Sequence, residues 1–120
     1  MLRKTKTIGV GLIVMMAAVS VLSAHMALTK SMPEEGVVLR TPPEEIQLWF
    51  TQEPDPAVSR VALGGPSGDV EIGETRVTAE KSVVAAVPAL GSGTYVVSWR
   101  TAGDDGHVQR GEFSFTVQAD

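Results

Sequence analysis

The chain has 120 residues, with ten Lys or Arg, fourteen Asp or Glu, two His and no Cys. Without cysteine there is no disulfide framework, no thiolate zinc site and no blue-copper centre, which needs Cys beside two His. All fourteen acidic residues fall after residue 24, where only seven basic residues remain, so that stretch carries a net −7 and is a poor partner for nucleic acid or anionic lipid.

In chain order, the first 24 residues read as a secretory signal peptide. A basic start, Met1-Leu2-Arg3-Lys4-Thr5-Lys6, precedes a sixteen-residue apolar run over residues 7–22, and Ser23-Ala24 ends it. The run is short for a bilayer-spanning helix, which needs about 20 residues, and no second charged flank stops transfer. The expectation is a signal-peptide helix cleaved after Ala24, with no stable membrane anchor left and a periplasmic or extracellular product. Leu22, at the minus-three position, is larger than the usual Ala. Residues 25–120 then form one domain of 96 residues, enough for a single modest core.

That domain reads as all-β. Ile46, Leu48 and Phe50 alternate with Gln47 and Trp49, Tyr95, Val97 and Trp99 with Val96, Ser98 and Arg100, and Phe113, Phe115 and Val117 with Ser114 and Thr116. A period of two marks half-buried strands. Shorter apolar segments lie at 57–63, 70–72, 77–78 and 83–87. Turn signals separate them: Thr41-Pro42-Pro43, Glu53-Pro54-Asp55-Pro56, Gly64-Gly65-Pro66-Ser67-Gly68 and Gly91-Ser92-Gly93. Seven to eight short antiparallel strands in a sandwich or Greek-key barrel follow from this pattern. The segment from Leu90 to Tyr95 has the form of a tyrosine corner opening the penultimate strand.

Both histidines stand where chemistry is accessible. Cleavage after Ala24 would make His25 the terminus, where the free α-amine and the imidazole Nδ1 can chelate one ion together. Asp105-Gly106-His107 lies between the last two strands. Asp-Gly is a strong turn signal, and a solvated turn accounts for the triplet on its own. A carboxylate two residues from a histidine can also reach one ion from an extended loop, and loops on a rigid sandwich commonly carry sites. Nitrogen and carboxylate donors without thiolate suit Cu(II), which tops the affinity series for such ligands.

Taken together, three stretches resemble the CopC family of periplasmic copper-binding (copper resistance) proteins. They are His25-Met26-Ala27-Leu28 with Ser31-Met32-Pro33-Glu34-Glu35-Gly36, the run from Gly93 to Arg100, and Asp105-Gly106-His107 followed by Gly111-Glu112-Phe113-Ser114-Phe115. The resemblance implies an immunoglobulin-like Greek-key sandwich and a Cu(II) ion held by His25, Asp105 and His107. It also implies a role in copper resistance, storage or delivery beside an inner-membrane copper transporter of the CopD type. Some members carry a Met-rich loop for Cu(I); here Met26 and Met32 are the only methionines after residue 24, which disfavours a thioether site. Some members place a Glu where this chain has Gln52, followed by Glu53, and the Pro that often follows the loop histidine is Val108.

The same residues are compatible with two other readings. An amine with two histidines is also similar to the copper brace of lytic polysaccharide monooxygenases, which are larger and need an open coordination position and a substrate platform. A metal-free immunoglobulin-like interaction domain is the other. No Ser/His/Asp triad can be assembled, since one of the two histidines would be a terminus.

Overall fold

The computed structural model describes residues 25–119; the expected signal peptide, residues 1–24, lies outside them. In chain order the strands are β1 (Leu28–Met32), β2 (Val38–Leu39), β3 (Glu45–Phe50), β4 (Arg60–Gly65), β5 (Gly68–Val70), β6 (Arg76–Thr78), β7 (Ser82–Ala86), β8 (Gly93–Ala102) and β9 (Val108–Val117). Among the described residues no helix is long and apolar enough to cross a membrane. One sheet has the order β1-β3-β7-β6 and the other β2-β9-β8-β4-β5. Leaving aside β2, these are the A-B-E-D and G-F-C orders of an immunoglobulin sandwich, with β5 added beyond β4.

The seven strands expected from the apolar pattern correspond to β3 to β9, and two more are present. β2 is two residues long and pairs parallel with β9, Val38 opposite Thr116 and Leu39 opposite Val117. It is the exception to antiparallel pairing in these two sheets. β1 is an edge strand whose register against β3 shifts between Leu28 and Lys30.

Alternation sets the core. Ile46, Leu48 and Phe50 of β3 and Val83 and Ala85 of β7 face Val61 and Leu63 of β4, Tyr95 and Val97 of β8, and Phe113, Phe115 and Val117 of β9. Each large apolar side chain so buried contributes about 1.5–3 kcal/mol. Tyr95 stacks on Phe115 with ring centroids 5.5 Å apart, and Phe50 meets Trp99 edge-on at 5.2 Å. The tyrosine corner forms as expected: the Tyr95 hydroxyl donates to the Gly91 carbonyl at 2.7 Å. Trp99 spans the cross-strand position opposite Gly111, where any Cβ would run into the indole.

Candidate metal centre

The chain's first described residues are fastened to the end of β3. Met26 is buried in the core. Ala27 makes a reciprocal pair with Thr51: its N–H donates to the Thr51 hydroxyl at 3.0 Å, and its carbonyl accepts the Thr51 N–H at 2.9 Å. With residues 26 and 27 anchored, His25 emerges beside the loop that joins β8 to β9.

That loop, residues 103–107, is shaped by its own backbone. The Gly106 N–H donates to the Gly103 carbonyl at 3.1 Å, closing a tight turn. Gly106 has φ +75°, a left-handed conformation that costs glycine little. The Asp105 carboxylate folds back to accept the His107 N–H at 3.0 Å, the Asx turn that Asp favours. From below, the Gln52 side-chain carbonyl accepts the Asp104 N–H at 3.2 Å. Gly103 makes room for this brace, because a Cβ there would overlap the Gln52 amide and come within 3.4 Å of Met26 Sδ.

The loop's base is polar but satisfied. The Asp55 N–H donates to the Ala102 carbonyl at 2.9 Å. The buried Thr101 and Ser59 hydroxyls lie 2.7 Å apart, and Ser59 donates to the Asp55 carbonyl at 2.7 Å. A hydroxyl has one proton, so Thr101 is the donor to Ser59.

These supports bring His25, Asp105 and His107 together. Asp105 Oδ2 lies 3.1 Å from His107 Nδ1 and 3.8 Å from His25 Nδ1. The two imidazole centroids are 6.2 Å apart. One ligand atom from each residue lies within 4.8 Å of the others. Nitrogen and oxygen donors sit about 2.0–2.2 Å from a small divalent ion such as zinc, so donors on opposite sides of one are about 4 Å apart. Closing the present group onto an ion therefore needs a contraction of about 1 Å, within reach of side chains that are 40–71% exposed. The residues fit a metal ion.

The Asp105 carboxyl is held below its ordinary range. The main cause is the hydrogen bond from the His107 backbone N–H, followed by the His107 side-chain hydrogen bond; desolvation opposes them, and the charges of the His107 and His25 imidazoles add to the lowering. Asp105 is thus a carboxylate at neutral pH, as a metal ligand must be.

Glu53 is not part of this donor group among the described residues. Gln52 acts on the loop backbone. The two methionines among the described residues do not form a thioether pair: Met26 is in the core, and Met32 is exposed at the far end of β1.

Comparison with known proteins agrees with this architecture. The protein YobA of Escherichia coli is 25% identical over 99 residues, covering 79% of this chain and 80% of its own length. The crystal structure of CopC from Methylosinus trichosporium superposes with a TM-score of 0.73 at 26% identity, over 79% of this chain and 95% of that one. PcoC, a methionine-rich copper resistance protein from Escherichia coli, gives 0.70 at 32% identity, over 79% and 100%. The CopC domain model matches residues 28–118, and the chain belongs to the CopC family.

Proposed function

We propose that this protein is an exported copper carrier that holds one Cu(II) ion between His25, Asp105 and His107. In this reading the signal peptide is removed after Ala24, the His25 α-amine becomes a fourth donor, and the ion is cargo for resistance, storage or delivery to a membrane transporter of the CopD type. One observation carries the proposal: two imidazoles and a carboxylate from opposite ends of the domain converge within 4.8 Å, in a family whose solved members include a copper resistance protein. The donor set favours Cu(II) over Cu(I), because it offers nitrogen and oxygen and no thiolate or methionine cluster.

The test uses two proteins, one beginning at His25 and one with a single additional residue ahead of it. The first is expected to bind one Cu(II) with a tetragonal EPR spectrum of mixed nitrogen and oxygen ligation. The extension keeps both imidazoles and Asp105 but removes the amine from the chelate, and should cost about as much affinity as His107→Ala. Equal affinity for the two proteins would refute the terminal-amine ligand; tight Cu(I) binding in a competition assay would refute the Cu(II) assignment.

A further inference from the structure

We infer that the outer face of the five-stranded sheet, just below the metal loop, is a docking surface for an acidic segment of a partner protein. The signal is a row of three arginines. Arg60 on β4 stands directly opposite Arg100 on β8, and Arg100 directly opposite Arg110 on β9. All three are exposed. They share the outward phase of their strands, since Val61, Val97 and Phe113 carry the inward phase.

Adjacent strands lie about 4.8 Å apart, so the row places the backbones of three arginines within about 10 Å. Like charges directly opposite one another destabilise a sheet, and nothing within the described residues offsets them. Among those residues no ion pair involves any of the three, and Arg60 hydrogen-bonds only to the Ser59 and Pro56 carbonyls. Glu112 lies two residues beyond Arg110 on the same face and is not paired with it. The arginines frame a shallow depression of about 220 Å³, completed by Val61, Ala62, Ser98 and Trp99.

Charge complementarity selects the occupant. Residues 25–120 carry seven basic side chains against fourteen acidic ones, and three of the seven are gathered here. Residues 25–120, at net −7, are repelled as a whole by a nucleic acid or an anionic bilayer. A short acidic peptide segment can meet the patch alone, with each guanidinium fork matching a carboxylate. The location gives the contact a use. The Ala102–Val108 pair at the foot of the loop is two rungs on from the Arg100–Arg110 pair, about 7 Å along the strands. A segment bound here is held beside His107. The docking rests on the arginine row; the copper reading adds only its purpose.

The test is fluorescence anisotropy with a labelled octaglutamate peptide at low salt, using the protein beginning at His25. Exposed ion pairs are individually weak, so Arg60→Gln, Arg100→Gln and Arg110→Gln should each weaken binding about 2- to 5-fold, and the triple variant about 10- to 100-fold. Arg76→Gln, on β6 of the other sheet, should leave it unchanged. Binding should fall steeply as salt shortens the Debye length to about 10 Å at 0.1 M. Removing like-charge repulsion should leave thermal stability unchanged or raised, whereas a merely structural role would lower it. The single variants keep the test standing if the triple variant does not fold. Equal binding by the triple variant, no peptide binding, or tighter binding to phosphatidylglycerol vesicles than to the peptide would each overturn the proposal. Cu(II) stoichiometry is read by EPR on the same variants, so loss of docking and failure of the copper site are told apart.

Discussion

The brace beneath the candidate metal loop gives a test worked from geometry. Gly103 has no side chain, and the space a Cβ would fill holds the Gln52 amide, with Gln52 Cδ at 3.0 Å and Met26 Sδ at 3.4 Å. In Gly103→Ala the backbone need not change, because Gly103 is not in the left-handed region. Gln52 is long enough to swing aside, but it then gives up the bond from Asp104 N–H. Losing one such bond costs about 0.5–1.5 kcal/mol. For a domain of this size that lowers the melting temperature by about 4–8 °C per kcal/mol. The loop carrying Asp105 and His107 loses the same restraint, so Cu(II) affinity should fall about 2- to 10-fold. Gln52→Ala removes the amide directly and should give a comparable loss. The double variant decides the matter: with Gln52 already truncated, the methyl introduced by Gly103→Ala meets no amide, and the second change should add little. Melting curves and copper competition on the four proteins complete the cycle. Strictly additive losses, or a neutral Gly103→Ala, would refute the brace.

Three further outcomes follow from the same structure. Asp105 is depressed in the folded state, so its stabilising contribution is fully present above the ordinary carboxylate range and is lost as pH falls through its folded value; Asp105→Asn should therefore lower the melting temperature at pH 7 and make little difference near pH 2. Tyr95→Phe keeps the stacked ring and loses only the bond to the Gly91 carbonyl, at a cost of about 1 kcal/mol measured by denaturant unfolding. Adding a chelator should leave the β circular dichroism intact, because the core from Ile46 to Val117 includes none of the three donors; unfolding on chelation would show that the metal supplies folding energy.

What the sequence revealed of the fold depended on which strands bury one face. β3, β8 and β9 alternate because one side packs on the opposite sheet, and their phases are read directly from residues such as Ile46, Val97 and Phe115. β1 shows no alternation: it lies at an edge and shifts register against β3, so its position comes from Met26 burial and the Ala27–Thr51 pair. The apolar segment at 57–63 becomes strand only from Arg60, because the Asp55 carboxylate and carbonyl turn the chain by accepting the N–H groups of Ala57, Val58 and Ser59. Trp49, on the polar phase of β3, stays half-buried with the Lys30 ammonium 4.6 Å from its ring centre.

The site divides along a similar line. Two histidines in the domain and a carboxylate two residues from one of them are visible in the sequence, since the metal-binding chemistry is carried by the side chains themselves. Gln52 was visible only as an amide next to Glu53. Its work is done through a backbone N–H 52 residues away, and a backbone donor leaves no mark in a sequence. The same division bears on how the protein would work. The candidate donors are exposed, while Met26, Thr101 and Ser59 beneath them are buried in or beside a core that includes none of the three donors. An ion held this way can be exchanged at the surface without opening the fold. A carrier needs that property, whereas a structural metal site, enclosed by its ligands and coupled to folding, gives it up.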